Sequence, residues 1–168
     1  MQIEIPKALI DLSAPWADFM KHSKLAKTIL LFLHIAPIVV GGGIAIGLDR
    51  LTLRLSRGPD EDRGRHLAEL ARTHSIVIAA LAVSIISGLL LTAAEIDNFP
   101  TSWIFWVKMG FILILLLNGA RMKSVEARMA SSSSITTADW GRLHTAALAS
   151  VTLWLTVTFL GVALSKYS

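Results

Sequence analysis

There is no cysteine anywhere in the 168 residues. That excludes a disulfide scaffold, thiolate zinc and iron–sulfur sites, a cysteine nucleophile and covalently attached c-type haem. Charge is scarce as well: Asp, Glu, Lys and Arg make up 17% of the chain, where a soluble domain carries about 25%. The apolar runs offer neither a Ser–His–acid set nor paired carboxylates, so nothing in them reads as hydrolytic. Sustained alternation of period two is missing, which argues against a membrane β-barrel. No small-residue cleavage site follows the first apolar run, which 27 residues precede, so a removed signal peptide is not expected.

What the sequence does hold is long apolar runs. Crossing about 30 Å of hydrocarbon takes about 20 apolar residues in a helix. Thr28–Leu48, Thr73–Ala94 and Leu143–Ser165 contain no Asp, Glu, Lys or Arg, and Asn98–Ala120 contains one, Lys108. The expectation is an all-α integral membrane protein, an up-down-up-down four-helix bundle in one domain over residues 1–168. Its spans are 28–48, 73–94, 98–120 and 143–165. Residues 1–27 form an N-terminal segment in which Leu12, Trp16 and Phe19 fall near helical spacing and Pro15 intervenes, the pattern of a short interfacial helix. In the ring, helices 1 and 3 form one diagonal and helices 2 and 4 the other.

Ten Lys and Arg residues flank the 1–2 and 3–4 loops: Arg50, Arg54, Arg57, Arg63, Arg65, Arg72, Arg121, Lys123, Arg128 and Arg142. Five, namely Lys7, Lys21, Lys24, Lys27 and Lys166, lie on the other side. That bias puts the arginine side in the cytoplasm and both termini in the periplasm. The basic charge behind a sequence pI near 9.8 is spread along these loops. It records topology and contact with anionic membrane lipids rather than nucleic-acid binding. Arg57-Gly58-Pro59-Asp60 and Ser131-Ser132-Ser133-Ser134 read as loops, Asp97-Asn98-Phe99-Pro100 as a tight turn, and Asp62–Arg72 as a helical extension of the second span.

Ionisable residues within spans are costly and mark function by default. Four occur, in two layers. His74 and His144 are each the second residue of an uncharged run, so they sit at matched depth on one diagonal. Helices on a diagonal are about 12–14 Å apart, a gap two imidazoles can bridge through a haem iron. Thr145, Ala147, Ser150, Ala79 and Ala82 are small enough to leave room for the macrocycle, and Arg72, Arg121 and Arg142 lie where they could meet haem propionates. The bland alternative for either histidine is a place in the headgroup region. His34 and Lys108 make the other layer, about 9 Å into their helices from the opposite side. With Pro37 and Gly41-Gly42-Gly43 weakening helix 1, they suit a small pocket for a quinone or another ligand. The alternative for Lys108 is snorkelling toward Glu95. His66, on the polar extension, and His22, in the lysine-rich lead-in, read as solvated; the alternative for His66, eight residues before His74, is a reserve ligand.

From Leu25 to Ser165 the chain resembles the small four-helix bacterial inner-membrane proteins related to the CopD-like group. The resemblance rests on His34 followed by Gly41-Gly42-Gly43 and Asp49-Arg50, on Ser87-Gly88-Leu89-Leu90, and on Phe105-Trp106-Val107-Lys108. It implies the fold and points at His34 and Lys108, without bringing an established reaction. More distantly the chain is similar to four-helix b-type cytochromes, which hold haem between histidines of such bundles. Two bis-His sites would need four membrane histidines and this sequence has three, so the resemblance supports one haem b at most.

Three functions follow as expectations. The first is a b-type electron carrier with one haem between His74 and His144, working with a redox partner. The second is a cofactor-free transport or accessory subunit using the His34–Lys108 site. The third is a structural subunit that packs through its glycine-rich faces into a larger membrane complex or a homo-oligomer. None requires a stand-alone enzyme.

Overall fold

The computed structural model describes residues 5–56, 63–132 and 135–167, all helix and short connection. Five helices follow in order: α1 (Lys7–His22), α2 (Lys24–Leu55), α3 (Arg63–Ala94), α4 (Trp103–Ser131) and α5 (Thr137–Tyr167). The last four are long and apolar enough to cross a membrane. Their apolar stretches turn most of their surface outward, with 11% of residues buried in that of α3 and 33% in that of α5. A soluble protein does not expose apolar belts of this extent.

The helix ends follow from local chemistry. Ser23 leaves helical geometry between α1 and α2, and its hydroxyl accepts from the Ala26 amide at 3.3 Å. Before α5, Thr136 and Asp139 form a reciprocal cap: the Thr136 amide donates to Asp139 Oδ2 at 3.2 Å, and the Asp139 amide donates to Thr136 Oγ1 at 3.3 Å. Arg128, from the end of α4, also grips Asp139 and so ties the two helices together.

One expectation changes at Pro15, and the start of the third span moves later than residue 98. Pro15 does not interrupt α1, which runs unbroken from Lys7 to His22; only its lost amide bond marks the site. The tight turn expected over Asp97-Asn98-Phe99-Pro100 is there, so the span taken from Asn98 becomes helical only after it. Phe99–Thr101 forms a 3-10 turn, held by Trp106 Nε1 donating to the Pro100 carbonyl at 2.9 Å, and α4 begins at Trp103. The loop residues 57–60 and 133–134 lie outside the described residues.

Packing sets the helices in an arc, α3 on α2, α2 on α5 and α5 on α4, with only slight contact between α3 and α4. The ring expected from sequence would place α3 and α4 side by side. Glycine explains why α2 is the hub. A Cβ at Gly41 would stand 2.5 Å from the Ala80 side chain on α3, and one at Gly42 would stand 3.0 Å from the Trp154 ring on α5. Adjacent glycines thus bring two different neighbours into close contact with one helix. Trp154 joins Leu115 and Leu153 in the middle core, with Ile38, Ala45 and Val77 against it. Toward the arginine end, Leu70, Met122, Val125, Met129, Trp140, Leu143, Ala146 and Ala147 form one closely packed core. At the opposite end Ile104, Phe105 and Leu164 form a smaller one. Helix α1 lies against α3 and α2, and Trp16 Nε1 donates to the Leu90 carbonyl at 2.9 Å.

Candidate functional site

Pro37 has no amide hydrogen, so the Leu33 carbonyl one turn earlier loses its helical donor. Serines of α3 stand opposite this stretch, and the one Ser87 hydrogen has nearer acceptors in its own helix. The Ser87 hydroxyl lies 3.3 Å from the Leu33 carbonyl and 2.7 Å from its own Val83 carbonyl, while the Ser84 hydroxyl donates to the His34 carbonyl at 3.3 Å. The His34 side chain sits in the same clasp. Its Nδ1–H donates to the Ser84 carbonyl at 2.9 Å, which fixes the tautomer and leaves Nε2 as a bare acceptor. A carbonyl cannot donate, so no other protonation of a neutral ring fits. Gly88 makes the room, since a Cβ there would stand 2.9 Å from His34 Cε1. His34 therefore lies half-buried in the α2–α3 seam rather than pointing straight across the bundle.

Lys108 is 8% exposed on α4. Its ammonium lies over Gly161 of α5, 3.5 Å from where a Cβ would be. Glu95, the partner considered for a snorkelling Lys108, is held instead by Lys27 at 2.8 Å. No carboxylate and no hydrogen-bond acceptor reaches Lys108 among the described residues, and His34 lies within the reach of its charge. This is one inward-facing cation with a bare imidazole nitrogen in its field.

The histidines of the other layer are placed differently. Ser56 donates its hydrogen to the Leu53 carbonyl at 3.0 Å, so it accepts from His144 Nδ1 at 2.7 Å and leaves His144 Nε2 bare. His74 is half-buried on α3 and makes no hydrogen bond among the described residues. Between α3 and α5 at this end lies packed core: Ala147, one of the residues expected to leave space, is fully buried with Leu70, Met122 and Leu143. The residues present do not provide the gap a macrocycle requires. Arg72, Arg121 and Arg142 are all exposed, and Arg142 approaches Asp139 at 3.8 Å. No group of three or more His, Cys, Asp or Glu side chains is placed to hold a metal ion among the described residues.

The structure also brings together a set of buried polar residues that no sequence motif groups as a site. Asp49 and His66 are each 2% exposed and Thr52 is fully buried. Glu126 and Ser150 are buried too. His66 is thus not solvated: it lies on the inner face of α3, one turn before Leu70 of the core. Thr52 gives its hydrogen to the Leu48 carbonyl at 3.0 Å and accepts from His66 Nε2 at 2.7 Å. Arg63 closes the end of this set, donating to the Leu55 carbonyl at 3.0 Å and resting 4.8 Å from the Trp140 ring. The signal was present in the spacing: Gly42, Asp49 and Ser56 recur every seven residues, with Ala45 and Thr52 between them, on the stripe that faces α5.

Elsewhere, a cleft of about 510 Å³ opens where α1 lies over the end of α3, with Lys27 and Glu95 on its wall. Neither His34 nor Lys108 lines it. No protein-family model, curated protein or solved structure matches the chain.

Proposed function

We propose that the chain is a multi-pass protein of the bacterial inner membrane, with its arginine end cytoplasmic and both termini periplasmic. In this reading it is a cofactor-free transport or accessory subunit that holds a small ligand at the Lys108–His34 layer. The ligand class is a molecule bearing an acceptor oxygen, of which a quinone headgroup is the type. The observation that carries the reading is Lys108: an ammonium 8% exposed, with no acidic partner among the described residues. A buried charge without a counter-group is costly. An acceptor oxygen on a ligand would relieve that cost, and the His34 Nε2 lone pair could take or return a proton beside it. The haem reading is less well supported, because packed side chains fill the space it needs.

Purified protein from haem-sufficient cells is expected to show no Soret band. A band that His74→Ala or His144→Ala removes would establish the electron-carrier reading instead. In nanodiscs, a short-chain quinone is expected to bind, and Lys108→Gln to weaken it by about tenfold to a hundredfold, the value of a charged hydrogen bond. Equal affinity in the variant would dismiss the site.

A further inference from the structure

At the arginine end two buried polar atoms have no hydrogen-bond partner among the described residues, Asp49 Oδ2 and His66 Nδ1. Buried groups of this kind are exceptional, and each calls for a reason. They belong to one constellation, because His66 is bonded to Thr52, which stands one turn beyond Asp49 on the same face of α2. Every packed element contributes groups to this region. Helix α2 brings Asp49, Thr52 and Ser56, and α3 brings His66, with exposed Glu69 beside it and Arg63 at the end. Helix α4 brings Glu126, with exposed Lys123 beside it, and α5 brings Ser150 next to Asp49, and His144 on Ser56. Asp49 and Glu126 lie within electrostatic reach of each other.

We propose that Asp49 and Glu126 form a proton-binding site, in which the pair shares a proton drawn from the arginine side of the protein. The donor set selects the ligand. No three of these acid and imidazole groups converge as metal ligands among the described residues, whereas a proton needs only one carboxyl oxygen. Two carboxylates ionised together in the interior would repel each other with a single neutral hydroxyl, Ser150, beside Asp49. One bound proton removes a charge and gives Asp49 a hydroxyl donor. Burial orders the path: Glu126 is 9% exposed and next to the exposed Lys123, while Asp49 is 2% exposed and deeper. A hydronium ion on the arginine side gives its proton to Glu126 and leaves water, and the pair then holds that proton on one carboxyl while the other stays a carboxylate. No electron moves, and one O–H bond breaks as another forms. Thr52 holds His66 in the tautomer that leaves its buried Nδ1 as an unpartnered acceptor.

The site is tested by infrared difference spectroscopy across a pH series on the whole protein in nanodiscs. Wild type is expected to retain a protonated-carboxyl band at neutral pH. Asp49→Asn and Glu126→Gln are each expected to move its midpoint down by about one pH unit, because a like charge has been removed from the remaining carboxyl. Absence of the band in wild type, or an unmoved midpoint in either variant, overturns the proposal. If Asp49→Asn does not fold, the wild-type band and the less buried Glu126→Gln still decide the question. The readout involves neither Lys108 nor His34, so its failure is distinguishable from failure of the ligand reading.

Discussion

The glycines of α2 show how much a single missing side chain controls here. Gly41 and Gly42 touch α3 and α5, while a Cβ at the next residue, Gly43, would meet nothing within 4 Å. Gly41→Ala should therefore cost about 1–3 kcal/mol through overpacking. Gly43→Ala should be neutral or stabilise by up to about 1 kcal/mol, because alanine is the better helix former. Unfolding by denaturant in detergent checks both, and equal effects would mean that the α2–α3 contact is not as close as described. The sequence showed three glycines in a row but not which faced a neighbour. Similarly, His34 and Lys108 stood out because each interrupts an apolar run, whereas Asp49, His66 and Glu126 did not. Those three lie just beyond the uncharged runs, where polar residues are ordinarily solvated. Only the heptad spacing with Gly42 and Ser56 marked Asp49 as inward-facing.

Among the elements, the α2–α3 pair sets serine hydroxyls opposite a backbone fault. Pro37 frees a carbonyl, and serines of the neighbouring helix stand opposite it. In an apolar surrounding such a group has no water to turn to. Ser87→Ala is expected to destabilise the protein by about 1–3 kcal/mol, and the same change in a Pro37→Ala background by less, because the amide bond to Leu33 is then restored. A double-mutant cycle measures the difference; additivity would show that Ser87 and Pro37 act independently. The cap on α5 offers a simpler case, with Thr136→Ala expected to cost about 1 kcal/mol. The existence of the four long helices was legible because uncharged runs of that length leave few alternatives. Their neighbours were not, since helices apolar on all sides carry no stripe that declares which face is inside. The arc α3–α2–α5–α4 is decided instead by where small residues allow close approach.

For the whole molecule, the distribution of charge bears on which end faces the cytoplasm. The polar groups divide between the ends: Lys108 and His34 toward the end that carries the 3-10 turn, and Asp49, Glu126 and His66 toward the arginine end. Ten cationic residues on that arginine side against five on the other favour its retention in the cytoplasm. The four lysines ahead of residue 28 pull the other way, so the bias is a contest between the two ends. The absence of native cysteine makes the outcome measurable without background labelling. Asp97, in the connection between α3 and α4, and Ala130, near the end of α4, are both exposed and lie at opposite ends of the long helices. A thiol reagent that cannot cross the membrane should label Asp97→Cys from the periplasmic side of intact cells, and label Ala130→Cys only after the membrane is broken. The reverse pattern would invert the molecule. The proposed proton site would then draw from the periplasm, and the Lys108–His34 layer would meet its ligand from the cytoplasmic leaflet.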